Sequence, residues 1–248
     1  VIPNSINSIG EYAFEYCSKL DTIINYSPLT ITGSSNNGYV GYYADKVVNA
    51  DEQVGNFFFK TIDGIHYLCD YLTIDNELQL PENYNGNSYA IGNSVFYNCD
   101  SLISIIIPDA VTSIGSSAFN SCSNLSSVTI GKGVTSIGER VFYDCDGLTS
   151  IVIPDAVTSI GESAFYSCSN LSSLTIGKGV TSIGEGTFSN CDSLTSIVIP
   201  DAVTSIGNDA FYDCSNLSSL TIGKGVTSIG SSAFQYCGLT SIVIPDAV

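Results

Sequence analysis

Nine cysteines and a single histidine are the residues of this 248-residue chain best suited to chemistry, and their spacing decides what they can do. Seven of the cysteines, Cys99, Cys122, Cys145, Cys168, Cys191, Cys214 and Cys237, recur every 23 residues. Zinc sites use clustered pairs such as Cys-x-x-Cys, and this chain has none. If each interval is one coil of a stack, successive cysteines lie ~4.8 Å apart with parallel Cβ vectors, a poor geometry for a disulfide. They read instead as buried free thiols that pack as small apolar side chains. Cys69 stands outside the register and is the candidate for a reactive or exposed thiol. Any Ser-His-Asp or Cys-His machinery would have to run through His66, which lies on an extended, aromatic-rich segment without convergent partners. Carboxylates such as Asp155 and Asp201 recur with the repeat and form no distinctive acid–base pair. The Gly-Lys-Gly tripeptides lack the Ser or Thr that follows lysine in a phosphate loop, and no EF-hand loop is present. Catalytic, cofactor-binding and metal residues are therefore assigned as none, and the chain reads as a non-enzyme.

The elements that carry these residues are set by the same period. Ile-Gly returns at 23-residue steps from Ile91-Gly92 to Ile229-Gly230, phenylalanine from Phe96 to Phe234, and leucine from Leu102 to Leu217, with Leu239 one residue early. Within one unit, Ser150-Ile151-Val152-Ile153 alternates side chains as a short strand, and Pro154, which has no amide to donate, ends it. Val157 to Ile160 is a second extended piece reaching Gly161. Ile160, Ala164 and Cys168 are spaced by four, which predicts one or two helical or 3₁₀ turns over 162–167. One such unit has too little apolar surface to fold alone, so coils must stack. The expected fold is an α/β repeat solenoid of short parallel strands and short helical turns, 23 residues per coil. Coils containing Ile-Pro-Asp-Ala-Val alternate with coils containing Ile-Gly-Lys-Gly-Val, so the full unit is 46 residues.

The organisation follows. Residues 1–24 form a first coil with Ile9-Gly10, Phe14, Cys17 and Leu20 in the same relative places. Residues 25–88 read as divergent coils containing a hairpin, since 56–62 and 65–69 flank Asp63-Gly64, a strong two-residue turn signal. Residues 89–248 are regular coils. The whole, 1–248, is read as one solenoid fragment that starts and stops inside repeats, with a separate inserted domain in 25–88 as the alternative.

Twenty-four acidic against seven basic side chains give a net charge of −17, the wrong sign for a nucleic-acid or anionic-membrane surface. No stretch reaches the roughly 18 apolar residues of a membrane span. Four Asn-x-Ser sequons begin at Asn25, Asn124, Asn170 and Asn216. The outward positions of the strands, Ile106, Thr129, Val152, Thr175, Val198, Thr221 and Val243, should form one column beside a column of serines from Ser104 to Ser241. This uncharged, hydroxyl-rich sheet face is the candidate binding face.

The string Ile-Pro-Asp-x-Val-Thr-Ser-Ile-Gly-x-x-Ala-Phe-x-x-Cys-x-x-Leu-x-x-Ile-x-Ile-Pro resembles the BspA-type, or Treponema-type, leucine-rich repeat. Residues 89–248 match nearly without break and 2–20 match once more, while Gly38 to Val47 resembles divergent N-terminal coils of such proteins from Bacteroidota. The resemblance implies a right-handed superhelix, displayed on a microbial surface or secreted. It also implies adhesion to host extracellular or cell-surface proteins or to other cells. The alternative is a structural component that self-associates into a coat or filament.

Overall fold

The computed structural model describes residues 1–15, 17, 20, 22–32, 46–73 and 75–248; the segment 38–45, compared above with divergent coils, lies outside them. The described residues form two compact units, Val1–Leu72 and Thr73–Val248.

In the first unit, β1 (Thr22–Asn25) pairs in parallel with β2 (Lys46–Asn49). Ile2, Ile23 and Ile31 are buried together, with Ile6, Ile9, Phe14 and Leu20 of the first coil packed against them. Antiparallel strands follow: β3 (Glu52–Val54), β4 (Phe57–Ile62) and β5 (Ile65–Tyr71). The hairpin forms where the sequence predicts it. Asp63 (φ 51°) and Gly64 (φ 79°) both take left-handed backbone, as a type I′ turn requires.

The second unit is a β-solenoid with two series of parallel strands. One series comprises β6 (Glu77–Gln79), β8 (Ser104–Ile107), β10 (Ser127–Ile130), β12 (Ser150–Val152) and β14 (Ser173–Thr175), then β16 (Ser196–Val198) paired with β18 (Ser219–Thr221). The other comprises β7 (Tyr89–Ile91), β9 (Val111–Ile114), β11 (Ser136–Ile137) and β13 (Ser159–Ile160), then β15 (Ser182–Ile183), β17 (Ser205–Ile206) and β19 (Ser228–Ile229). Register is kept at one repeat per coil, with Ser127 beside Ser104 and Ile137 beside Ile160. Both ladders break at the same junction, between β13 and β15 and between β14 and β16. The coil there is the one carrying Thr187, a buried β-branched residue where neighbouring coils carry Ala164 and Ala210.

The interior is a set of vertical rows. Phe96, Phe119, Phe142, Phe165, Phe188, Phe211 and Phe234 stack with ring centroids 5.1–5.4 Å apart. From Cys122 to Cys237, each cysteine of the adjoining row donates its S–H to a phenylalanine carbonyl 26 residues earlier, as Cys145 does to Phe119 at 3.1 Å, whereas Cys99 lies 3.6 Å from the Ser101 hydroxyl. Burial pushes the Cys122 and Cys191 thiols up to about 12, so they stay protonated and inert at neutral pH.

The helical turns expected at 162–167 and its equivalents do not form; no helix occurs among the described residues. The segment is instead a run of tandem turns in which successive amides point in alternate directions. Ala118, Asn120 and Cys122 donate back three residues to Gly115, Ser117 and Phe119, while Ser117, Phe119 and Ser121 donate to Glu139, Val141 and Tyr143 of the next coil. A helix would keep all of these bonds within the segment and leave the coils without hydrogen bonds between them along this edge. The alternation requires left-handed backbone at every fourth residue, as at Ser163 (φ 52°) and Ser167 (φ 56°). For a non-glycine residue that costs about 1–2 kcal/mol, which the hydrogen bonds between coils help to offset. The first coil of the first unit has the same back-donating turns, Ala13, Glu15 and Cys17 donating to Gly10, Tyr12 and Phe14, with Tyr12 (φ 61°) in the place of Ser117.

The two coil types interlock. In Pro-Asp coils the Asp155 carboxylate accepts the Lys178 amide of the following Gly-Lys-Gly coil at 2.9 Å, and Asp109 and Asp201 do the same for Lys132 and Lys224. Here the glycines are obligatory, because a methyl at Gly179 would overlap the carbonyl oxygen of Asp155. The 46-residue period is thus a contact rule between neighbouring coils.

Candidate binding face

The alternating strand pattern buries Ile105, Val128, Ile151, Leu174 and Ile197 and turns the residue after each one to solvent. Ile106, Val152 and Val198 are 47, 62 and 63% exposed and alternate with Thr129, Thr175 and Thr221. The register sets Thr129 beside Ile106, Val152 beside Thr175 and Val198 beside Thr221, so six of the seven predicted positions share one column. Val243 is 84% exposed but lies in no strand. The coil leading to it is one residue shorter at Cys237-Gly238-Leu239, which shifts the chain out of the ladder. The serine column forms as expected from Ser104 to Ser219. The hydroxyls of Thr129, Thr175 and Thr221 make no hydrogen bond among the described residues, leaving them available to a partner.

The face is corrugated. A shallow concavity of 660 Å³ lies around Val198, Pro200 and Asp201, with Thr175 and Lys178 on one side and Thr221 and Lys224 on the other. A second, of 670 Å³, repeats it around Val152, Pro154 and Asp155. Along this rim run Asp109, Lys132, Asp155, Lys178, Asp201 and Lys224, one exposed charge per coil with alternating sign. The rim is neutral in sum although the chain carries −17. Sequence reading missed this row, and its signal was present in the alternation of Pro-Asp with Gly-Lys-Gly.

It also missed a second column. Thr112, Thr135, Thr158, Thr181, Thr204 and Thr227 flank the other strand series without interruption. From Thr135 onward, each Oγ donates to the carbonyl of the threonine one coil earlier at 3.1–3.2 Å. These hydroxyls are committed to the stack.

The remaining candidates take structural places. His66 lies on β5 opposite Thr61, with 2.9 Å between Nδ1 and the threonine Oγ1. Cys69 is half-buried, donates to the Phe58 carbonyl at 3.3 Å and has its thiol pushed up to about 12 by burial, which keeps it protonated at neutral pH. Cys17 is the exposed thiol. Asn25 is buried, its amide donating to Leu29 and Asn49, whereas Asn124, Asn170 and Asn216 donate from exposed positions to carbonyls of the preceding coil. No group of three or more His, Cys, Asp or Glu placed to hold a metal ion occurs among the described residues. No helix long and apolar enough to cross a membrane occurs among them either.

Stacked parallel strands at one coil per 23 residues, with ladders of Leu, Ile, Phe and Cys inside, define a leucine-rich repeat solenoid. The BspA type leucine rich repeat region matches in six copies over residues 1–37, 89–204 and 137–248, and the chain belongs to this family. It is similar to a leucine rich repeat protein of T. pallidum, at 28% identity and a TM-score of 0.67 over 72% of this chain and 85% of that one. A leucine-rich repeat protein of Eubacterium ventriosum matches over all of this chain and 60% of its own length, at 26% identity and a TM-score of 0.62. One from Bacteroides ovatus matches 79% of this chain and 60% of its own length, at 26% identity and a TM-score of 0.57. No curated protein matches the chain.

Proposed function

We propose that this chain is a non-catalytic, protein-binding module displayed on a microbial surface or secreted, and that it adheres through the Ile/Val/Thr face. The observation that carries this reading is the column of exposed branched residues at Ile106, Val152 and Val198 on successive parallel strands of the solenoid. Exposing such side chains contributes nothing to the chain's own packing, whereas an apolar centre with a polar, charge-balanced rim is the common anatomy of a protein interface. The alternating lysines and aspartates would set partner orientation and register, and free threonine and serine hydroxyls would supply hydrogen bonds. Membership in a repeat family built for extended surfaces supports the same reading. Partners are host extracellular or cell-surface proteins, or other cells.

Binding of the chain to a panel of extracellular-matrix proteins and to whole epithelial and bacterial cells tests this. Saturable binding to at least one is expected. Absence of binding across the panel overturns adhesion. Concentration-dependent assembly in sedimentation velocity without such binding would turn the same face toward a second copy, in a coat or filament.

A further inference from the structure

A third row runs along the turn edge, at the residue after each stacked phenylalanine: Tyr97, Asn120, Tyr143, Tyr166, Ser189, Tyr212 and Gln235. Tyr143 and Tyr166 stack at 4.8 Å with 7° between their planes, which sets the spacing of the row at one ring per coil. At the next coil the ring is missing. Ser189 is buried and donates to the Tyr212 carbonyl at 3.2 Å, so it forms a floor rather than a filler. Gly186 stands where other coils carry Ser117, Arg140, Ser163, Asp209 and Ser232. A methyl at Gly186 would reach 3.2 Å from the Ser163 hydroxyl and 4.0 Å from the Tyr166 ring, so any larger side chain there would crowd that wall. The result is a cleft of 330 Å³ with Tyr166 and Tyr212 as walls and Ser163, Glu185 and Asp209 at its mouth. Both walls are held from behind, Tyr166 by Tyr143 and Tyr212 by the edge-on ring of Tyr236, with centroids 5.3 Å apart.

The other interruption is a control within the same molecule. Asn120 stands between Tyr97 and Tyr143, but there the coil keeps Ser117 and the asparagine is itself buried, with its side-chain oxygen accepting the Ser121 hydroxyl at 2.8 Å. Only the coil with both Gly186 and Ser189 combines an open floor with a glycine at the wall.

We infer that the cleft between Tyr166 and Tyr212 is a binding site for a small organic cation, an alkylated ammonium group held between aromatic walls and facing the Glu185 and Asp209 carboxylates. Two coils separate the walls by ~10 Å at ~4.8 Å per coil. A group at the middle lies ~5 Å from each ring, inside the ~6 Å over which an aromatic ring attracts a cation. A flat neutral ring needs closer stacking and would meet one wall only. An alkylated ammonium has the bulk to touch both and a weakly hydrated charge, and the carboxylates supply the opposite sign. No basic side chain forms an ion pair with Glu185 or Asp209 among the described residues. This site lies on the turn edge and does not depend on the function proposed for the sheet face.

The test is a titration of the full chain with tetramethylammonium chloride, followed by NMR of the tyrosine ring protons against potassium chloride at equal ionic strength. The uncharged isostere tert-butanol is the parallel probe. Saturable shifts confined to Tyr166 and Tyr212 are expected with the cation. Tyr166→Leu should weaken binding by about tenfold or more. Glu185→Gln with Asp209→Asn should weaken it severalfold. Ser189→Tyr, which restores the residue found in neighbouring coils and should therefore fold, is expected to fill the cleft and abolish binding with circular dichroism unchanged. Equal binding of tert-butanol, equal binding by Ser189→Tyr, or no saturable shift in the parent chain would each overturn the assignment.

Discussion

Two exposed columns run along this solenoid in parallel, and they treat threonine differently. On one strand series, Thr112 to Thr227 is unbroken, and from Thr135 on every hydroxyl is bonded to the coil before it. On the other, threonine alternates with Val152 and Val198, and its hydroxyls are not used by the stack. A position whose side chain completes the hydrogen bonding between coils must be the same in every coil. A position that the stack does not use can alternate, and it is the one left to meet a partner.

Four substitutions, one of them with a matched control, break or sharpen that contrast, in falling order of effect. Phe165→Ala removes the buried row that keeps both columns in register and is expected to cost ~3–5 kcal/mol in urea unfolding followed by circular dichroism. Gly179→Ala forces a methyl against the Asp155 carbonyl and should cost about 1–3 kcal/mol by the same measurement, while the equally conservative Ala202→Gly on the open rim should cost less. Thr158→Val keeps the shape and deletes one bond between coils, for an expected loss of ~0.5–1.5 kcal/mol. Thr175→Val makes the identical change in the other column and is expected to stay within about 0.5 kcal/mol of the parent. If Thr158→Val and Thr175→Val cost the same, the two columns are not distinct in the way their hydrogen bonds indicate.

Much of this was legible in the residues. The 23-residue period, the inward and outward alternation at Ile151 and Val152, the buried cysteine row and the Asp63-Gly64 turn follow from spacing and turn chemistry alone. The helical turns did not form, because the four-residue spacing of Ile160, Ala164 and Cys168 suits tandem turns as well as a helix. Side-chain spacing reports which residues face inward; it does not report that alternate amides rotate toward the neighbouring coil. Left-handed backbone at Arg140 (φ 53°) and Tyr236 (φ 62°) carries no residue-type signal at all. On the candidate face, the column itself was readable, but the free hydroxyls of Thr175 and the bonded hydroxyl of Thr158 look alike in sequence, since both are strand threonines favoured for their branching. The tyrosine cleft had a readable trace in Gly186 and Ser189, which with Thr187 are departures of a single coil from its neighbours.

The most direct test compares partner binding by two matched double variants of the full chain on the cells or matrix protein that bind the parent. Val152→Glu with Val198→Glu places charge on the alternating column, and Ser159→Glu with Ser205→Glu places the same charge on the other strand series. Loss of binding by tenfold or more in the first pair, with the second pair unchanged and both folded, is the result predicted here. Equal retention in both, or loss only in the second, would contradict a binding role for the Ile/Val/Thr face.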